Sequence, residues 1–368
     1  MTTPLLELIR ARAPLPADEY MDLALYHPEH GYYSRAVRAG WLGHFVTSPE
    51  ITPAFGWMWA RAVEETWEAC GRPDRFVMTE IGPGEGGFAA AVWHSVSDEL
   101  RDELHIVLVE RTGAGRVRQE ERLAGVPRVS WVGSLEAAEP AEAGFVFANE
   151  VLDNLPVKLV ERRGELFEIW VAADGAGLHE ELRPASPGVL RVVAEAGMDV
   201  PDGHRAEVPV AVGSFVARAA GLIGRGAVVF VDYGAEANDL VARPAGTLLC
   251  YSATGADDAW LDRPGEKDIT AHANWTAVTA ALTSAGAMPA GPIAQADALR
   301  ELGLADVLEE AKARHDDAIA GGRGAEAVRA LSERGALATL ADSGGLGGLG
   351  VTSGFKGVPV PRWAGSGA

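Results

Sequence analysis

The sequence predicts an α/β fold: a parallel sheet covered by helices, an antiparallel β meander set into it, and extra helices at either end. Three observations carry the prediction. Strand-like and helix-like stretches alternate from Phe76 to Ala148, a glycine-rich turn joins the first pair, and after Pro156 the rhythm changes to short strands separated by turns. Alternation of the first kind implies a parallel sheet buried on both faces.

Residues 1–75 read as an N-terminal helical and lid segment. Leu5, Leu6 and Ile9 lie on one face of a short helix, and Asp18–Leu25 forms another. Between Tyr26 and Tyr33 comes an aromatic turn whose His27 and His30 are turn histidines; no carboxylate or cysteine pattern beside them supports a metal. Thr47 or Ser48, before Pro49 and Glu50, marks the start of a helix over Ile51–Cys70. The plain role of those hydroxyls is capping, and the sharper one is a lid over a bound cofactor.

The core opens with residues 76–156. Phe76–Ile81 is a buried strand, Gly82, Gly84, Gly86 and Gly87 form a tight loop, and Gly87–Val96 is the following helix. Glycines let the chain turn sharply and bring a ligand close to bare amides. Gly82-x-Gly84-x-x-Gly87 fits a dinucleotide fingerprint, and Glu110 ends the next strand at the usual distance. Glu80 and Glu85 weigh against a diphosphate and suit a cationic ligand such as S-adenosylmethionine (SAM), whose ribose Glu110 could equally hold. On these residues alone SAM, a dinucleotide, and a strand–turn–helix without ligand all stay open.

Ile106–Val109, Arg116–Leu123, Arg128–Val132 and Gly144–Ala148 continue the alternation as strand, helix, strand and strand. Glu80, Glu110 and Asn149–Glu150 all fall at the carboxyl ends of strands, where sheets of this kind bind ligands. Residues 157–205 read as an inserted lobe, with strands over Val157–Arg163, Leu166–Ala172 and Gly177–Leu182 and an irregular stretch at 184–205. Residues 206–290 return to the core through helix Val210–Ile223, strand Ala227–Val231, strand Gly246–Tyr251 and helix Thr270–Ser284 opened by Asp268. Residues 291–368 are a C-terminal helical region to about Ala341, a glycine turn at Gly344–Gly350 without the ending of a phosphate loop, and a disordered tail from Ala364.

Composition sets outer limits. Over 368 residues the hydrophobic fraction is 48% and the charged fraction 23%, ordinary for a soluble chain. A net charge of −20 opposes general nucleic-acid binding and favours a basic partner. Two cysteines, Cys70 and Cys250, make neither a disulfide framework nor a metal site, so a reducing cytoplasm is the expected setting. The start lacks a signal-peptide run, and the most apolar stretch, Ser214–Val231, is broken by Arg218 and Arg225, so no membrane insertion is expected.

Several runs together resemble the MidA / NDUFAF-seven-type family of SAM-dependent methyltransferases. They are Leu25–Tyr33, Phe45–Ile51, Glu80–Gly86, Val109–Glu110 with Gln119, Ala148–Val157, Val231–Gly234, Gly246–Leu248 and Asp268–His272, in the family's order across roughly residues 20–300. The resemblance implies a Rossmann-like class I methyltransferase sheet with an inserted lobe and S-adenosyl-L-methionine as cofactor. Its mitochondrial branch is understood as a protein arginine methyltransferase needed for respiratory complex I assembly, which implies an Arg-bearing protein substrate. Gly82, Gly84 and Gly86 match the SAM loop, Glu110 the ribose acid, and Ser134–Leu135 the adenine neighbourhood. Asn149, Glu150 and Asp153 match the acidic turn that faces the transferred methyl, and are the expected catalytic residues. The expected cofactor contacts are Thr47, Ser48, Glu80, Gly82, Gly84, Gly86, Glu110, Ser134, Leu135 and Asn149. The structural alternative for Glu150 and Asp153 is capping and local turn formation after the fourth strand.

The chain departs from the family pattern at His44, Glu85, Ala91, Lys158 and Cys250–Ser252. Those departures bear on substrate identity more than on cofactor binding. The leading expectation is methyl transfer to a protein arginine. The alternatives are a non-catalytic assembly factor that keeps the fold, a small-molecule methyltransferase, and a dinucleotide enzyme.

Overall fold

The computed structural model describes residues 3–34 and 47–365. The departure at His44 lies outside them. Seven strands form the central sheet: β1 Phe76–Ile81, β2 Leu104–Val109, β3 Val129–Val132, β4 Ala141–Asn149, β5 Ile223–Asp232, β6 Met288–Ala294 and β7 Gly350–Lys356. Their spatial order is β6-β7-β5-β4-β1-β2-β3. Strands β1 to β5 run parallel, and β7 is antiparallel to both β5 and β6. The chain winds from β1 outward through β2 and β3, then crosses back to β4. The crevice where that direction reverses lies between the ends of β1 and β4, where such sheets hold their ligands.

Register decides what meets there. Ile81 stands opposite both Val109 and Ala148, and Asn149 opposite Val231. Glu80–Ile81, Val109–Glu110, Asn149–Glu150 and Asp232 therefore end on one edge. Below them the sheet is apolar on both faces. Helices Ala54–Ala69 and Gly87–Ser95 cover one face, where Phe88 stacks on Phe147 with ring centroids 4.1 Å apart and Trp59 lies 5.0 Å from the same ring. Helices Val212–Gly221 and Trp275–Ser284 cover the other, over Val146, Ala148, Val228 and Phe230. The departure at Ala91 has a packing consequence: an ideal Cβ on Gly56 would stand 2.5 Å from the Ala91 Cβ, so the two helices touch where a longer side chain would not fit.

The insert forms a second, antiparallel sheet from Lys158–Arg163, Glu165–Asp174, Gly177–Pro184 and Arg205–Val208. Leu15–Pro16 pairs with Trp170–Val171 in that sheet, so the N-terminal segment is built into the inserted lobe. Leu5, Ile9, Tyr20, Met21 and Leu25 share a core with Ile169, Val171 and Ile269. Lys158 bonds Asp18 at 3.0 Å in this lobe and does not line the cavity described below. Among the described residues no helix is long and apolar enough to cross a membrane.

Several sequence expectations shift. Pro53 holds Thr52 extended, so the helix expected over Ile51–Cys70 breaks into Ser48–Ile51 and Ala54–Ala69. The stretch expected to be irregular contains helix Pro187–Glu195, whose first turn is capped by the Ser186 hydroxyl accepting from Val189 N, and the strand at 205–208. Helix Thr270–Ser284 begins only at Trp275, with Asn274 as its cap; Asp268 is used elsewhere. The strand expected over Gly246–Tyr251 begins at Leu249. The glycine turn at Gly344–Gly350 leads directly into β7, a strand absent from the expectation. Ala364 is buried rather than part of a disordered tail; residues 366–368 lie outside the description.

Candidate functional site

A cavity of about 860 Å³ opens on the carboxyl edge of β1, β2, β4 and β5. Thr47, Glu80, Gly82, Gly84, Glu110, Ser134, Leu135, Asn149, Glu150 and Asp153 line it. Ser48 and Gly86 do not. The Ser48 hydroxyl is fully buried and accepts from Gln295 Nε2 at 2.9 Å, tying the lid turn to the C-terminal helices. Gly86 caps the helix behind the loop, with φ of +80° against Gln119.

At one end the glycine loop turns over the sheet. Gly82, Gly84 and Gly86 all have positive φ, at +66°, +53° and +80°. An ideal Cβ on Gly82 would also stand 2.8 Å from Val151 Cγ2, so this position requires glycine twice over. Gln119, fully buried, ties the loop to the end of β2. Its Nε2 donates to Gly84 O at 2.9 Å and to Glu110 Oε2 at 2.8 Å, while its Oε1 accepts from Trp131 Nε1 at 3.0 Å. Glu110 Oε1 accepts from the amide and the hydroxyl of Thr112, both at 2.7 Å. The carboxylate is thus held from two sides at the cavity wall.

The loop acids behave differently from their sequence reading. Glu85 pairs with Arg118 at 2.8 Å, so its charge is matched within the site rather than offered to a ligand. Glu80 is buried, and among the described residues its Oε2 has no partner. Burial, and then the charge of Glu50, push its carboxyl well above the usual range. Glu50 was not among the expected site residues. It lines the cavity, 3.9 Å from Arg122, and burial raises it as well.

The other end is acidic. Asp232, at the end of β5, accepts from the amides of Val151, Leu152 and Asp153 on Oδ2 and from Tyr233 N on Oδ1. That shapes the turn after β4 and places Glu150 and Asp153. Glu150 has φ of +52°, a conformation uncommon for a non-glycine residue, held by its amide donating to Val231 O. Its Oε1 accepts from Asn149 Nδ2 at 2.8 Å and from Ser48 N at 3.4 Å. Burial, and then Asp232, push Glu150 up to about 8. Asp153 is buried with Oδ1 unpartnered among the described residues, and burial beside Asp232, Asp268 and Glu150 raises it strongly. Burial raises Asp232 too, but its four backbone amides favour the charged form, so of the pair Asp153 holds a proton the more tightly. Neither Glu150 nor Asp153 caps a helix: both sit in a turn and face the cavity.

The sequence did not single out the residues that complete this end. Asp268 takes Tyr33 Oη and Asn154 Nδ2, each at 2.9 Å. Tyr26 stacks on Tyr33 with centroids 5.6 Å apart, and Arg111 lies over the Tyr26 ring at 4.4 Å. Tyr233, Tyr251 and His272 line the wall, and His272 is kept neutral by burial and Arg243. Most of these fall in the runs Leu25–Tyr33, Ala148–Val157, Val231–Gly234 and Asp268–His272, which was the available signal. The arrangement offers an acceptor-rich chamber beside a glycine loop and the carboxylate of Glu110.

Residues 58–293 match the family described as "Putative S-adenosyl-L-methionine-dependent methyltransferase". The chain is 30% identical to a Burkholderia thailandensis protein solved bound to S-adenosyl-homocysteine, with a TM-score of 0.85, covering 100% of this chain and 97% of that one. It is 26% identical over 327 residues to the Xenopus tropicalis protein arginine methyltransferase NDUFAF7, mitochondrial, covering 80% of this chain and 74% of the relative. The Rattus norvegicus protein of the same name is 27% identical over 335 residues, covering 80% and 72%. The chain therefore belongs to this family of S-adenosyl-L-methionine-dependent methyltransferases, and S-adenosyl-L-methionine is its cofactor.

Proposed function

We propose that the chain methylates a guanidinium nitrogen of an arginine side chain in a basic protein substrate. The observation that carries this is the acidic end of the cavity, above all the buried and unpartnered Oδ1 of Asp153 beside Glu150. Carboxyl groups crowded this way are unfavourable alone and are relieved by a cation. The names of the vertebrate relatives support the same substrate class.

The residues present fit the cofactor. Gly82 and Gly84 leave its loop open, and Glu110, fixed by Thr112 and Gln119, suits the ribose hydroxyls. Thr47, Ser134 and Leu135 line the wall, with the latter two assigned to the adenine. The unpartnered Glu80 Oε2 and Asn149 Oδ1 are acceptors for its ammonium group. Ser48 and Gly86 act behind the wall, shaping the lid turn and the loop. When bound, S-adenosyl-L-methionine supplies a methyl group activated by a sulfonium.

The chain's own work is on the acceptor. A guanidinium stays protonated below about pH 12 and is a poor nucleophile. Glu150 and Asp153 grip its N–H groups, fix its plane and concentrate electron density on the nitrogen facing the methyl. The entering cation displaces the Glu150 proton to solvent, and as the N–C bond replaces the methyl–sulfur bond one N–H proton passes to the freed Glu150 carboxylate. Buried, free Cys70 and Cys250 accord with a reducing compartment such as the cytoplasm, while the named vertebrate relatives are mitochondrial.

The test is incubation with isotope-labelled S-adenosyl-L-methionine and Arg- or Lys-bearing basic peptides, read by mass spectrometry. Methylarginine should form, and Glu150→Gln should slow it by about 10²-fold or more with cofactor affinity kept. Methylation confined to lysine or to small molecules would overturn the proposal.

A further inference from the structure

Among the described residues, Asp268 and Asn154 compete for one hydroxyl hydrogen. Asn154 Nδ2 donates to Asp268 Oδ1 at 2.9 Å and to Ile269 O at 3.2 Å, which fixes the amide and leaves Asn154 Oδ1 as an acceptor. The Tyr33 hydroxyl lies 2.9 Å from that Oδ1 and 2.9 Å from Asp268 Oδ2. One hydroxyl hydrogen cannot serve both. A proton on Asp268 Oδ2, donated to Tyr33 Oη while Tyr33 donates to Asn154, satisfies every group. Among the described residues a charged Asp268 must share the single Tyr33 hydrogen with Asn154 Oδ1, with only the Ile269 amide as a further donor, in a buried site.

Burial and the acids and phenols facing Asp268 favour the same state, against the bonds from Tyr33, Asn154 and the Ile269 amide, which favour the charged form. Tyr32 and Tyr33 come from the N-terminal turn and Tyr26 from helix Ala17–Tyr26. Glu150 and Asp153 come from the turn after β4, and Cys250 and Tyr251 from strand Leu249–Ser252. Lys267, its sequence neighbour, is engaged by Asp257 at 2.6 Å and by the Ala259 carbonyl. A neutral Asp268 therefore sits among acids and phenols. Asp153, only 6% exposed and with Oδ1 unpartnered, shares its cavity wall and marks where a donor is missing.

We propose that Asp268 is a second guanidinium-binding carboxylate, protonated in the free protein, which releases its proton to solvent when an arginine side chain enters. Resting on the arginine reading, this adds a residue and a linked proton to it. The step balances simply: the Asp268 O–H bond breaks, the proton leaves to buffer, and the carboxylate accepts N–H bonds from the incoming cation while Tyr33 keeps its bond to Asn154. Asp268 acts here by gripping substrate, as a specificity residue favouring a planar multi-donor cation over a lysine ammonium.

The experiment is calorimetry on the full chain saturated with S-adenosyl-homocysteine, titrated near pH 7 with N-acetyl-arginine amide or N-acetyl-lysine amide, in phosphate and in Tris. The difference between buffers counts protons released. Burial places Asp268 at about 7, so it should contribute about half a proton, and Asp268→Asn should lose that share and bind arginine more weakly. Equal proton release by variant and wild type, or wild-type arginine binding without release, would overturn the inference and leave the arginine reading standing. Failure of the wild type to prefer arginine over lysine would overturn both. Should Asp268→Asn lose affinity for S-adenosyl-homocysteine, infrared difference spectra of the wild type decide. Loss of a protonated-carboxyl band on arginine binding supports the proposal, and its persistence refutes it.

Discussion

Replacing Gln119 by methionine tests how the glycine loop and the ribose-type acid are held together. Methionine keeps nearly the same length and volume, so the perturbation is mainly the loss of three hydrogen bonds: to Glu110 at 2.8 Å, to Gly84 O at 2.9 Å and from Trp131 Nε1 at 3.0 Å. A bond to a charged group contributes about 1.5–3 kcal/mol and a neutral one about 0.5–1.5 kcal/mol. Glu110 and Trp131 are half-buried and regain water, which offsets part of the loss. The net expectation is about 2–3 kcal/mol of stability, read from urea unfolding at unchanged slope. Glu110 keeps its Thr112 bonds but loses its link to the loop, so affinity for S-adenosyl-L-methionine should fall about tenfold, equivalent to about 1.4 kcal/mol. Cofactor affinity unchanged within about twofold would refute the claim that Gln119 positions Glu110.

Two more outcomes follow from the site's construction. Ser48→Ala should cost about 1 kcal/mol in urea unfolding by removing the bond from Gln295, with cofactor affinity unchanged; a large loss of cofactor affinity would restore Ser48 as a ligand. The free protein should lose stability as pH rises from about 4.5 through about 8. Glu150 is pushed from 4.5 to about 8, so over that window the folded state holds a proton the unfolded state has released. Urea midpoints across that range should fall for the wild type and fall less for Glu150→Gln.

Much of this was legible in the chain order. The β–α alternation placed β1 to β5 because a parallel sheet buried on both faces leaves continuous apolar runs, as in Phe76–Ile81 and Ala227–Val231. Residues at the ends of those runs necessarily share an edge, so chain order alone brings Glu80, Glu110, Asn149 and Glu150 together. Strands β6 and β7 escaped because their residues carry no such run. β6 contains Pro289, Gly291 and Pro292; β7 buries Thr352 and Ser353, and a helix packs so close to it that a Cβ on Gly354 would meet Leu282 at 2.6 Å. Small and polar residues there serve a close approach that local patterning does not encode.

Which charges are spent and which are free was decided only by tertiary structure. Glu85 resembled a ligand for a cation until Arg118, 33 residues away, took it. Ser48 resembled a lid hydroxyl until Gln295, 247 residues away, claimed it. Asp232 and Asp268 resembled a strand end and a helix cap; folding made one the anchor of the turn after β4 and the other a wall of the chamber. A carboxylate's state depends on its burial, its donors and its neighbouring charges, all of which come from segments distant in sequence. The sequence by itself determined the fold, the loop and the edge on which the acids gather. Only the tertiary structure decided which of those acids is paired, which is protonated and which awaits a cation.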